Sequence, residues 1–250
     1  MQTEESLERR AGVDQKRRNR LWRDWMIRWG AFMVGIWVMA LGIVMMIQAE
    51  MGLAPWDVFH MGLANISPLT VGMWLQIVGF ILVSLASLLS KKLPGPGAVL
   101  NMILVGFFVD LLLGAGWIPT PDPIWAKIVL LLVGLLVMGI GNGLYIAPRL
   151  GAGPRDGLVI VLSERLSQPI RRVRAVMEIS VLIMGWLLGG PVFIGTLLFS
   201  VSIGPMMQTS IQFWERQIDQ WLGRGVPVEN INQRTLRSYH HDGFSGKIRG

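Results

Sequence analysis

The chain contains no cysteine. That excludes disulfides, thiolate metal sites and cysteine nucleophiles. Histidine is nearly as scarce: there are 3 in all, two of them adjacent near the C-terminus (His240 and His241), too few for a histidine-built zinc centre. Charge is the third shortage. Only 16% of the 250 residues are charged against 52% hydrophobic, which places the chain among integral membrane proteins. The net charge of +7 is not a nucleic-acid signal, because Lys and Arg gather at the termini and in a few short connections instead of covering a soluble domain. They fit basic flanks held against an anionic cytoplasmic leaflet. No Ser–His–acid order and no paired-carboxylate site stands out, so neither an enzyme nor a cofactor is expected.

Long apolar runs are what the chain has in abundance. Six are long enough to cross a hydrocarbon core of about 30 Å: Met26–Ile47, Leu69–Ser90, Gly97–Leu113, Ile124–Ile146, Val173–Gly189 and Val192–Phe213. Pro55–Ile66 and Pro154–Leu166 are apolar but too short to cross, which predicts two short broken or re-entrant helices. Basic residues orient the spans. Lys91 and Lys92, the arginines between Arg149 and Arg174, and both termini belong in the cytoplasm. The connections Gln48–Pro68, Gly114–Pro123 and Gly190–Pro191 hold no Lys or Arg and belong outside. The predicted organisation is a basic N-terminal tail (1–25), two membrane units (26–118 and 119–213) and a C-terminal tail (214–250). In that tail "FWERQIDQWLGR" reads as a surface amphipathic helix and the remainder as disordered.

The two membrane units resemble each other. "VGIWVMALGIVMMIQAEMGLAPWD" (Val34–Asp57) and "VGLLVMGIGNGLYIAPRLGAGPRD" (Val133–Asp156) align at an offset of 99, sharing Gly52/Gly151, Pro55/Pro154 and Asp57/Asp156, matches that apolar composition does not explain. Gly97 and Gly106 align with Gly195 and Gly204 at an offset of 98. A unit of three crossings is odd, so a second copy enters the membrane from the opposite side. The predicted fold is therefore an all-α membrane protein of six transmembrane helices plus two short helices, arranged as two inverted-topology three-helix repeats. Secondary transporters are often built this way, with the site at the repeat interface.

The turns "GLAPWD" and "GAGPRD" are stop–start signals for a broken helix. Glycine tolerates the left-handed backbone that ends a helix, proline suits the first position of the next, and an acid in the first turn meets the positive helix end. In "GAGPRDG" the glycine spacing misses the dinucleotide-binding fingerprint, and no strand precedes it. The candidate solute- or ion-binding residues are Gly52, Pro55, Asp57 and His60 from the first turn and Gly151, Gly153, Pro154, Arg155 and Asp156 from the second. Glu178 joins them as an acid inside a span, one turn beyond Arg174, its expected ion-pair partner. Asp57 and Asp156 are equally explained as capping acids, and His60 as a packing contact on the face of Asp57. Gln76, Asn101, Asn142 and Gln208 are expected to hydrogen-bond between helices. Gly42 and Gly141, equivalent by the offset, are each predicted to face a neighbouring helix.

The stretches "GLAPWDVFHMGLA", "SPLTVGMW" and "GAGPRDGLVIVLSERLSQPIRRVRAVMEISVLIMGWLLGGPVFIGTLLFSVSIGPMMQ" resemble the YczE/YyaS/YitT-type bacterial integral membrane proteins from about Gly35 to Gln208. The resemblance implies a multi-pass protein of a bacterial cytoplasmic membrane and supplies no substrate. Two functions are compatible with the sequence: a small carrier for a polar or anionic metabolite, as monomer or homodimer, and an accessory scaffold for a partner enzyme or exporter. The partners expected are the lipid bilayer and, for a carrier, the small solute; a nucleic acid is not.

Overall fold

The computed structural model describes residues 2–151 and 153–223, with side chains from residue 18 onward. The predicted disorder of the last tail residues and the pair His240 and His241 lie outside the described residues. Among the described residues all regular structure is helical: α1 (Gln2–Ala49), α2 (Pro55–Asn65), α3 (Val71–Ser90), α4 (Pro96–Ala115), α5 (Ile124–Ile146), α6 (Pro154–Leu166), α7 (Ile170–Leu187) and α8 (Ile194–Trp221).

Five of these, α1, α3, α4, α5 and α8, are long and apolar enough to cross a membrane. The expected span Val173–Gly189 falls mostly within α7, which has only 18 residues and carries Arg171, Arg172, Arg174 and Glu178. Length and composition alone do not mark it as a sixth. Two further differences concern the ends. The basic N-terminal segment is continuous with the first span in one helix, because "SLERRAGVDQKRRNRLWRDW" is rich in helix formers and has no proline. "FWERQIDQW" is no separate surface helix either: α8 continues through it, burying Ile218 and the following Leu222 against Ala31, Leu144 and Ala147.

The centre of the fold is the crossing of α1 and α5. More than half of the α1 span is buried (56%), against a third or less of the other four, so α1 is the helix the others pack around. Small residues make the approach possible. A Cβ placed on Gly42 would lie 2.7 Å from Cα of Met138, and one on Gly141 would lie 2.7 Å from Cα of Met39. Gly35 sits equally close to the backbone of Tyr145, and Gly134 faces Met46. Each of these contacts becomes the other when the two sequences are exchanged at the 99-residue offset, and the order of the pairs shows that the helices run antiparallel. Further out a similar exchange, at an offset of 98 for the glycines and 99 for the carbonyls, relates two backbone hydrogen bonds: Gly97 donates to the Leu150 carbonyl (3.2 Å) and Gly195 to the Met51 carbonyl (2.7 Å). Each short helix packs on a helix of the other half, α2 on α7 through Gly62 and Gly185, and α6 on α3.

One pair of helices breaks the correspondence. α3 lies tightly on α4, with Gly72 against Gly106, and Asp110 accepts hydrogen bonds from the Thr70 hydroxyl (2.5 Å) and the Gly72 amide (2.9 Å). α7 does not pack on α8 in this way, and Gly204, the counterpart of Gly106, has no atom within 4 Å of its Cβ position.

Candidate functional site

Both short helices begin in the same manner. Gly52 has φ +99° and Gly151 φ +138°, values that side chains disfavour, so glycine permits the reversal that ends α1 and the α5 segment. Proline then opens each helix, Pro55 in α2 and Pro154 in α6, where its missing N–H costs nothing. The unsatisfied N–H groups of a first turn leave that end partly positive.

The two first turns open onto one cavity of about 160 Å³. Ala54, Pro55 and Trp56 line it from one side and Gly153, Pro154, Arg155 and Asp156 from the other. Asn101 of α4, Asn142 and Tyr145 of α5, and Arg174 and Glu178 of α7 add polar residues to its wall, while His60 reaches it from the second turn of α2. The rest of the lining is mostly apolar, including Met39, Leu75, Val105 and Phe199.

Charge crosses between the halves. Arg155 of α6 places Nη2 3.6 Å from Oδ1 of Asp57 in α2, and its guanidinium lies 5.1 Å from the centre of the Trp56 ring. His60 Nδ1 is 3.8 Å from the same Asp57 oxygen. Asp57 and His60 are almost wholly buried, at 2% and 1% exposure. Asp156 is ion-paired and hydrogen-bonded to Arg174. This corrects the expected Arg174–Glu178 pair: Arg174 reaches across to α6, because Asp156 projects from the first turn of α6 towards α7, and Glu178 is left facing the cavity without an ion pair. Each acid in a first turn is engaged by an arginine, so its place at a helix start is not the whole of its role. Among the described residues at or behind the cavity, Nδ2 of Asn101 is buried with no hydrogen-bond partner, and Oδ1 of Asp57 and Nδ1 of His60, 3.8 Å apart, make no hydrogen bond within normal distance. Such atoms are costly to bury unpaired and point to a group that fills the space.

The structure thus brings Pro55, Asp57, His60, Gly153, Pro154, Arg155, Asp156 and Glu178 together around or directly behind one cavity. Gly52 and Gly151 stand outside it and shape the turns; Gly52 abuts Thr196, and Gly151 abuts Ala98. Sequence reasoning missed Trp56 and Tyr145, and treated Asn101 only as a link between helices. Of the four amides, Gln76 bonds across helices, to the Ile103 carbonyl (2.9 Å), whereas Asn142 bonds within α5, to the Met138 carbonyl (2.9 Å). The signal for Trp56 was present: it is the residue equivalent to Arg155 at the 99-residue offset. Among the described residues no group of three or more His, Asp or Glu could hold a metal ion.

Several proteins are similar to this chain in sequence. The uncharacterized membrane protein YczE of Bacillus subtilis (strain 168) is 33% identical over 190 residues, covering 76% of this chain and 87% of its own length. An uncharacterized protein of Haemophilus influenzae (strain ATCC 51907 / DSM 11121 / KW20 / Rd) is 33% identical over 171 residues, covering 68% of this chain and 77% of its own. The uncharacterized protein YyaS of Bacillus subtilis (strain 168) is 27% identical over 180 residues, covering 70% and 87%. No solved structure matches the chain. Residues 26–212, which hold α2 to α7 and the whole lining of the cavity, match one family; the chain is a membrane protein of the YczE/YyaS-like kind and belongs to the family of unknown function DUF6198.

Proposed function

We propose that the chain is a small secondary carrier for a polar or anionic metabolite, bound in the cavity between α2 and α6. The observation that carries this reading is the convergence of two helix N-termini, one from each half of the sequence, on a single cavity whose wall also holds Arg155 and Arg174. Broken helices whose positive ends meet at a repeat interface suit the binding of a solute with an anionic group. In this reading the two halves are inverted repeats of three crossings each. α7 is the sixth crossing, with its three arginines gathered at the cytoplasmic end, Glu178 midway along it and a largely apolar stretch from Ile179 to Leu187. Both termini are cytoplasmic, the membrane is a bacterial inner membrane, and α2 and α6 are re-entrant. The difference between the tight α3–α4 pair and the open α7–α8 pair supports a carrier as well, since alternating access needs two halves in unlike states.

The test uses inside-out vesicles from cells producing the wild-type chain, Arg155→Gln or Arg174→Gln at matched levels. Vesicles are loaded from a cell extract of small metabolites, and their contents are read by mass spectrometry. The expected result is at least one polar metabolite enriched by wild type and by neither variant. Identical contents in all three, with a deletion phenotype that both variants still complement, would refute the carrier and favour an accessory scaffold.

A further inference from the structure

The charges around the cavity are unevenly satisfied, and the imbalance narrows the cargo. Arg155 is matched by Asp57 and Arg174 by Asp156, one guanidinium to one carboxylate. Neither arginine is a spare cation waiting for an anion. What has no ion pair or hydrogen bond of its own among the described residues is Glu178 and Nδ2 of Asn101, from two residues lining the cavity onto which the first turns of α2 and α6 open. Asn101 is 7% exposed, so water at the surface does not satisfy it. Two helix N-termini together present about one positive charge, each being worth roughly half. The cavity therefore offers hydrogen-bond donation and partial positive charge from Asn101 and the two first turns, and a carboxylate at Glu178.

From this we infer that the cargo is a zwitterion of amino-acid size. The inference rests on the carrier reading above and names its substrate class. An acidic end accepts from Asn101 and the helix N-termini, with His60 beside it, and an ammonium end lies against Glu178. A simple anion leaves the half-buried Glu178 with no ion pair, and a simple cation leaves Nδ2 of Asn101 and the two first turns unmet; both are costly. Size points the same way. A cavity of about 160 Å³ is close to the roughly 150 Å³ that admits benzene, so it suits a molecule of about six to eight non-hydrogen atoms. Amino acids with short side chains fall in that range.

The test is thermal melting of the purified full chain in detergent with glycine, alanine, serine and β-alanine. Propionate and lactate serve as anion probes and ethanolamine as the cation probe. The expected result is a rise in Tm with at least one amino acid and with none of the other three. Glu178→Gln and Asn101→Leu should each weaken that binding at least tenfold. Glu178→Asp, which keeps the charge, should retain part of it, and Asp122→Asn, at an exposed position outside the cavity, should retain all of it. A rise with lactate or propionate alone, or with ethanolamine alone, overturns the zwitterion and leaves a carrier of another substrate class. A rise that survives Glu178→Gln overturns the assignment of the ammonium end to Glu178. No rise with any probe overturns the proposal, and the vesicle experiment then decides separately whether the carrier reading survives.

Discussion

Replacing Gly42 by alanine adds one methyl group where the backbones of α1 and α5 come close. The new Cβ would lie 2.7 Å from Cα of Met138, about 0.7 Å inside the 3.4 Å at which ordinary contact begins. The obstacle is backbone, so no side-chain rotation relieves it and α1 must move away from α5. Overpacking of this kind costs about 1–3 kcal/mol. Alanine's better helix propensity returns up to about 1 kcal/mol. Gly141→Ala presses Met39 in the same way and should cost a similar amount. Because both act on one crossing, a shift that relieves the first partly relieves the second, and the double variant should lose less than the sum. At roughly 2–4 °C per kcal/mol, each single variant should melt several degrees below wild type in detergent. Gly204→Ala is the internal control: nothing lies within 4 Å of its Cβ position, so it should melt at or slightly above wild type. Leucine at Gly42 or Gly141 should reduce folded yield outright. If Gly42→Ala and Gly141→Ala both melt with wild type, the α1–α5 crossing is not as close as described, and the arrangement of the cavity around it fails too.

Asp57→Asn keeps the shape of a buried acid but removes the charge facing Arg155 and His60, so the protein should fold and lose the transport proposed above; Asp57→Ala should lower Tm more than Asp156→Ala, because Asp57 is far more buried. Complementation of a deletion strain by both Asp57→Asn and Asp156→Asn would contradict a role for these acids beyond structure. Arg149 grips Glu215 with two nitrogens, at 2.8 and 3.1 Å. Glu215→Arg should lower Tm by the equivalent of about 1 kcal/mol, and adding Arg149→Glu should recover most of it, provided the pair fastens α8 to the end of α5. With no native cysteine, single cysteines report topology cleanly. Those at Pro68 and Thr120 should react with an impermeant reagent added outside intact cells and those at Ser90 and Ser167 should not; the reverse pattern would invert the orientation.

Much of the site could be read before the fold was known, because its elements are local. Pro55 and Pro154 at helix starts, glycine before each, and an acid two residues later are consequences of short-range backbone geometry, and the structure places all of them where the turns require. The equivalence of Gly42 and Gly141 was likewise legible as a repeat, and close packing followed from the small-residue rule. The pairing of charges was not. Arg174 and Glu178 are one helical turn apart, which suggests a pair within α7, yet the geometry gives Arg174 to Asp156. Sequence separation ranks neighbours along one helix and says nothing of a helix packed across from it.

By itself the sequence determined the membrane environment, the helical class, the two breaks and the identities the two halves share at a fixed offset, because each depends on hydrophobicity, backbone preference or direct comparison of residues. Whether two first turns far apart in the chain share one cavity was decided only in three dimensions. α1 and α5 cross antiparallel at their glycines, and that crossing carries the ends of α2 and α6 towards each other until Arg155 meets Asp57 over Trp56. The same packing leaves Nδ2 of Asn101 unpaired at the cavity wall. Burial, which turns an ordinary polar side chain into an unsatisfied one, belongs to the tertiary structure and to no stretch of residues.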